Sequence, residues 1–429
     1  MAAWWREDIV RRVLRNTGLL GAGKAAGALL HLAGLILTAR LLGPTGFGTL
    51  ILVRSYAQSA SGLTKFQSWQ TLIHFGATRA DAGDRGGFRD LSAFTLAADA
   101  ATGLLTAILA AMLAPVIGPP LGLDAAAVTL AQLYCLVIPL LASATPTGIL
   151  RIFDRFDQMS WQSVLTPAIR LAGIGVAAGF GAPLRALILA WLASDILGEL
   201  YLWLQGWREM KRRGFAGGPM PSARRALDAN RGLLRFSLAS NASATLSQSL
   251  APLFTLLVGA LLGSAAAGLY RIAQVVLDAV AAPAELAMRS FFPEVTRLRR
   301  RDSALFARAI RNAVLLSAGL GVVLALVVAL AGPGLLVAGM GRDYAQVGPI
   351  LQIVALGFAP VLAVFPVETA LLATGRAGSI LIARSVAAAI AFAAAALLAG
   401  PLGLPGIGLA AVLGFVGAFG AMLVAARLS

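Results

Sequence analysis

The sequence predicts an all-α polytopic membrane protein, with about 12 transmembrane helices in two six-helix bundles around a central cavity. Three observations carry this prediction. Hydrophobic residues make up 59% of the 429 residues and charged residues only 13%, and the mean hydropathy is +0.82; a soluble domain is about 45–50% apolar and about 25% charged. Apolar runs long enough to cross a bilayer recur along the whole chain. The basic residues fall in every second connection between those runs.

A helix crossing about 30 Å of hydrocarbon needs about 20 mostly apolar residues. Runs of that kind occupy 18–42, 47–76, 91–117, 125–150, 159–181, 184–205, 233–262, 267–293, 309–338, 345–373, 377–399 and 404–426. The second and seventh are the most polar. One set of connections (1–17, 77–90, 151–158, 206–232, 294–308, 374–376 and the C-terminus) carries 23 Lys and Arg, and the alternate set carries only Arg342. Lys and Arg are retained on the cytoplasmic side of membranes, so this bias predicts an even number of spans with both termini cytoplasmic. The net charge of +16 is therefore read as membrane topology, and nucleic acid is not expected as a partner.

Residues 1–17, with Trp4 and Trp5 ahead of Arg6, Arg11, Arg12 and Arg15, read as a cytoplasmic interfacial leader or as a frayed basic segment; no small-residue cleavage site follows them. The basic loop 206–232 contains the breaker cluster Gly214 to Pro221 and reads as a linker between an N-terminal bundle, 18–205, and a C-terminal bundle, 233–429. The connection after the first span runs Leu41-Leu42-Gly43-Pro44-Thr45-Gly46-Phe47-Gly48, and that after the seventh runs Leu261-Leu262-Gly263-Ser264-Ala265-Ala266-Ala267-Gly268. A Leu-Leu-Gly with a second glycine five residues later, at the same point of two six-span halves, suggests a parallel repeat.

Chemistry must then sit among the spans. A single cysteine, Cys135, and two histidines, His31 and His74, make a cysteine metal cage or a histidine-based triad unlikely as a design, and neither a metal, a cofactor nor catalysis is expected. Lys24, Arg54, Lys65, Arg170, Arg289 and Arg384 lie deep within spans, as do Asp99, Asp195, Glu199, Asp278, Glu285 and Glu368. Each ionised group facing lipid would cost at least ~2.5–3.5 kcal/mol, so they are expected to face a hydrated interior or one another.

Helical spacing supports a shared interior. Arg54, Gln58, Ser61 and Lys65 stack on one face, and Lys24, His31 and Thr38 form a stripe of period seven. Arg271, Gln274, Asp278, Glu285 and Arg289 share another face, as do Asn241, Thr245, Gln248 and Pro252. Competing readings stand beside these: Arg54 and Lys65 paired with Asp99 or another acid, Arg170 neutralising Asp195 and Glu199, Arg271 reaching the outer interface, and Glu285 paired with Arg289. Trp191, Tyr201, Trp203 and Trp207 read as interface anchors. Cations outnumber acids in the expected cavity, which favours a substrate bearing phosphate or pyrophosphate over a cationic drug.

The stretch from Arg40 through the first Leu-Leu-Gly turn to Thr49-Leu50, and its counterpart Leu262 to Leu269-Tyr270, resemble the outer turns of the polysaccharide and O-antigen (Wzx-like) flippases. With the six-plus-six division, the resemblance spans nearly the whole chain. It implies the fold of the multidrug, oligosaccharidyl-lipid and polysaccharide exporter superfamily, and alternating access. It also implies an undecaprenyl-pyrophosphate-linked oligosaccharide carried from the cytoplasmic to the periplasmic leaflet of the cell inner membrane, for polysaccharide or lipopolysaccharide biosynthesis. A polymerase or glycosyltransferases are its implied partners, and the protein is expected to act as a monomer. Lys24, Arg54, Lys65 and Arg271 become candidate pyrophosphate contacts, with Gln58, Asn241 and Gln248 lining the path. Asp278 and Glu285 are the candidates for coupling to protons or sodium. A cation-coupled multidrug exporter of the same fold is the alternative. A polymerase or glycosyltransferase is disfavoured by the short outward loops.

Overall fold

The computed structural model describes the backbone of residues 2–65, 67–181, 183–218, 220–301 and 303–427, and within these the side chains other than those at 2–20, 22, 239–247, 282–301, 303, 304, 377 and 427. The described residues are almost entirely helical, with no strand among them. In chain order the helices are α1 (Ala2–Thr64), α2 (Ser68–Asp81), α3 (Arg85–Ile117), α4 (Ala125–Tyr134), α5 (Ile138–Ala142), α6 (Thr145–Ile152), α7 (Phe156–Gly179) and α8 (Leu184–Arg212). They continue with α9 (Ala223–Ala229), α10 (Leu233–Arg301), α11 (Ser303–Met340), α12 (Val347–Ala355), α13 (Phe358–Ala373), α14 (Ala377–Leu402) and α15 (Leu404–Arg427). Among the described residues, nine stretches are long and apolar enough to cross a membrane.

Two of those stretches, Gly23–Thr64 and Gln248–Ala281, belong to helices that join two helical segments across a kink. Within α1 the backbone turns at Gly43, with φ 67° and ψ 174°, and within α10 it turns at Gly263, with φ 84° and ψ 176°. A side chain is rarely tolerated in that region of backbone space, which explains a glycine at the same place in both repeats. The second glycine of each motif serves close packing: a Cβ on Gly48 would run into the Ser264 carbonyl, and one on Gly268 would meet the Gly48 backbone at 2.9 Å. The single-span runs at 47–76, 125–150 and 345–373 are each interrupted. Breaks fall at Lys65 and Gln67, at the 3-10 turn Cys135–Val137 with Ser143 and Ala144, and at Leu356–Gly357. With these breaks the helices follow the order of twelve passes that the sequence predicts.

The chain forms two compact units. The first comprises residues 1–41, 53–119 and 123–252, and the second 42–52, 120–122 and 253–429. Segment 206–232 packs onto the first unit and is not an open connector. Phe215 and Ala226 share a core with Leu72, Phe88, Leu91 and Phe153, Asp90 accepts from Arg225 and from the Ser222 N–H, and Arg79 donates to Asn230 at 3.0 Å. Small residues let the helices of this unit approach closely: α1 meets α7 where Gly23 and Gly27 face Ser160 and Ser163, and α7 meets α8 where Gly173 faces Ala190 and Gly198 faces Thr166.

The second unit uses the same device. Gly321 on α11 faces Ala359 on α13, and Gly414 on α15 faces Ala391 on α14. A core of Val367, Leu371, Ile380, Ala383 and Met422 ties its basic end together. Large apolar side chains such as Leu105, Met112, Leu316 and Leu330 point outward, as expected where lipid is the solvent.

Candidate site: a cationic network around Asp195

The stripes predicted on the first and second spans meet α7 and α8 inside the first unit. Asp195, on α8, is 5% exposed and accepts from three donors. Arg54 donates from Nε to Oδ2 at 3.0 Å and from Nη2 to Oδ1 at 3.4 Å. Arg170 on α7 donates to Oδ1 at 2.5 Å, and the Tyr134 hydroxyl, at the end of α4, donates to Oδ2 at 2.7 Å. Arg170 also donates to Ser194 Oγ at 3.0 Å and meets His31 Nδ1 at 3.0 Å. Because Arg carries no acceptor, that nitrogen of His31 is the unprotonated one.

Trp191 forms the floor. It is 1% exposed, its ring lies 4.2 Å from the Arg170 guanidinium and 5.4 Å from that of Arg54, and its N–H donates to Thr38 at 3.2 Å. Its expected role as an interface anchor is therefore corrected. The ring is buried because two desolvated guanidiniums need its π face. Trp207, 59% exposed, keeps the outward position expected of an anchor.

The charges do not cancel. Among the described residues, two guanidiniums share one carboxylate, so the network carries a surplus positive charge when His31 is neutral. Arg170 is 3% exposed and committed on all three nitrogens, so it braces the site. Arg54 retains 15% side-chain exposure. With its amide oriented by its hydrogen bonds, Gln58 accepts from Arg54 Nη2 at 3.1 Å and Nη1 at 3.2 Å. At most one of the five Arg54 N–H groups, on Nη1, is left to offer elsewhere. Gln58 thus aims the guanidinium, in agreement with the spacing argument that put the two on one face.

The remaining predicted residues are dispersed. Lys24 is exposed on α1, and Lys65 is half-buried at the break that ends α1, where it interacts electrostatically with Glu199. Gln248 is exposed and lies in the first unit; Arg271 and Asp278 lie on α10 in the second, Arg271 half-buried and Asp278 exposed. The side chains of Asn241 and Glu285 lie outside the described residues, as does that of Arg289. Arg384 pairs with Glu368 at 2.9 and 3.1 Å, so this deep cation is neutralised within the second unit. Among the described residues, no group of three or more His, Cys, Asp or Glu is placed to hold a metal.

Asp99 departs from the expectation that a deep carboxylate needs a cation. It accepts from the Ala144 and Thr145 N–H groups at 2.9 and 3.0 Å, from Thr145 Oγ1 at 2.7 Å, from Ser143 Oγ at 3.2 Å, and from Ser68 Oγ. These are the unpaired donors at the start of α6 and at the start of α2, which a carboxylate satisfies well. Outside the spans, Arg155 bridges Asp157 at 2.9 Å and Glu209 at 2.7 Å. The hydrogen bonds from Arg155 hold the Asp157 carboxyl below the usual range, against an opposing desolvation.

Comparison with known proteins gives the chain a family. Residues 13–298 match the polysaccharide biosynthesis protein family. The chain belongs to that family. Inner membrane protein YghQ of Escherichia coli (strain K12) is 34% identical over 343 residues, covering 80% of this chain and 96% of that one. Among solved structures, the lipid II flippase MurJ in an inward closed conformation superposes with a TM-score of 0.76 at 12% identity, over 95% of this chain and 87% of that one. An inward-facing multidrug resistance MATE family transporter of the MOP superfamily gives 0.64 at 15% identity, over 96% and 93%. This member of the family is thus a multi-pass helical membrane protein with the fold shared by those transporters, as the sequence predicts.

Proposed function

We propose that this protein is a flippase that carries an undecaprenyl-pyrophosphate-linked oligosaccharide from the cytoplasmic to the periplasmic leaflet of the inner membrane by alternating access, with both termini cytoplasmic. The observation that carries the reading is the surplus positive charge held inside the first unit, where Arg54 and Arg170 share Asp195. A buried guanidinium that is aimed and not fully neutralised attracts phosphate, and its planar fork suits phosphate oxygens. Membership of the polysaccharide biosynthesis family and the 34% identity to an inner membrane protein support the glycan and the membrane.

In this reading Arg170, Asp195 and Tyr134 hold Arg54 in place, and Arg54 with Lys65 and Lys24 meets the pyrophosphate. Gln58, Gln248 and Asn241 line the path, and Arg271 is a further candidate headgroup contact. Asp278 and Glu285 are the candidates for coupling the cycle to protons or sodium, since an ionisable group within a membrane is a functional suspect. The double variant R54A/K65A leaves Asp195 its bonds from Arg170 and Tyr134, so the protein should still reach the membrane folded while surface glycan is lost. Normal glycan export by that variant would refute the proposal. Drug resistance on overexpression, with no dependence on any glycan pathway, would favour the multidrug alternative.

A further inference from the structure

The second unit contains a cavity of about 620 Å³ between the basic ends of α11, α13 and α15. Its walls are apolar, formed by side chains such as Phe306, Ile310, Val314 and Leu371, and its polar edge is made by Arg311, Thr374 and Arg376. Among the described residues, the lining includes no carboxylate. Arg376 is fixed over the end of α15 by a hydrogen bond from Nη1 to the Ala425 carbonyl at 3.1 Å, and Arg311 is exposed on the first turns of α11. The floor is the packed cluster of Val367, Leu371 and Met422, so the cavity is a property of a well-formed core. Leu315, beside Arg311, is 64% exposed, which opens the apolar wall toward the bilayer.

We propose that this cavity binds one anionic glycerophospholipid of the surrounding bilayer, with its phosphate between Arg311 and Arg376 and an acyl chain along the apolar wall. A lipid is favoured over a soluble anion because the two arginines stand at one edge of a slot that is otherwise apolar, and only an amphiphile matches both parts. An anionic headgroup is favoured over a zwitterionic one because two guanidiniums form the polar edge of the slot. The volume lies within the range of small-molecule sites, about 300–1,000 Å³. The site lies wholly within the second unit and does not depend on which substrate the protein carries.

Native mass spectrometry of the full-length protein in detergent, with phosphatidylglycerol or phosphatidylcholine added, tests this. Phosphatidylglycerol should be retained preferentially, and R311A and R376A should each weaken that retention about five-fold, the effect of one basic residue at an anionic surface. The charge-preserving R311K/R376K variant should keep the preference, which separates loss of charge from loss of fold. Ala307→Trp, which fills the slot with both arginines intact, should abolish retention. Equal retention of the two lipids, an unchanged preference in the alanine variants, or displacement of phosphatidylglycerol by polyprenyl phosphate at equal concentration would overturn the proposal.

Discussion

Asp195 and Asp99 are both buried carboxylates of the first unit, and their surroundings solve the cost of burial in opposite ways. Around Asp195 the compensation is ionic: two guanidiniums and a phenol converge on it from α1, α7 and α4. Around Asp99 it comes from neutral hydroxyl and backbone N–H groups at the starts of two helices. The first arrangement leaves a cation over and can respond to another anion. The second is saturated and serves as a cap on the starts of α2 and α6. A charge within a membrane span is thus a functional suspect only after its partners have been counted.

Substitutions can break that contrast. Asp195→Ala strands two buried guanidiniums, and removing one partner of a buried ionic network typically costs ~3–5 kcal/mol; thermal unfolding in detergent should show a larger loss for it than for any other substitution named in these paragraphs. Asp99→Ala leaves neutral donors unpaired and should cost less, about 2–3 kcal/mol. The amide replacements sharpen the comparison. In Asp99→Asn the carbonyl can keep the four donors on Oδ2 while the Ser68 hydroxyl reverses, so stability should largely return. In Asp195→Asn the amide NH₂ must face a guanidinium or the Tyr134 hydroxyl, so little should return. Equal rescue at the two positions would show that the distinction between ionic and neutral compensation is wrong.

The smallest expected effect lies outside the spans. Asp157 has its carboxyl depressed in the folded protein, so its contribution is present above the ordinary carboxylate range and is lost as the pH falls through the lowered folded value. Its side chain is 40% exposed, and an exposed pair of this kind contributes under about 1 kcal/mol. D157N should therefore flatten the acid side of the stability profile slightly, leaving stability at neutral pH nearly unchanged.

Much of the architecture was legible because hydrocarbon imposes a length and a charge rule on every pass. The two Leu-Leu-Gly turns were visible as repeats, and their physical reason, positive φ at Gly43 and Gly263, is one that sequence spacing can reveal. The Arg170–Asp195 pair was also within reach, because the two residues lie on consecutive spans. Arg54 was not assignable to Asp195, 141 residues away, since helical spacing fixes which side chains share a face and not which helix that face meets. Tyr134 left no periodic signal, lying where α4 gives way to a 3-10 turn. Trp191 differs from its sequence expectation because an aromatic run near a span end carries no sign of the cations that neighbour it in the fold. The docking of 206–232 is hidden by its basic composition, which resembles a solvated loop while Phe215 and Ala226 bury themselves in the core.

The central claim is that the surplus cation beside Asp195 recognises a phosphorylated headgroup. Binding of undecaprenyl pyrophosphate and of unphosphorylated undecaprenol to the purified protein, compared between wild type and R54A, tests it most directly. The account predicts that the wild type prefers the pyrophosphate by about ten-fold or more, the scale of one charge-assisted hydrogen bond, with a preference that weakens in salt and collapses in R54A. A wild type that binds the two lipids equally, or an R54A protein that keeps the full preference, would contradict it.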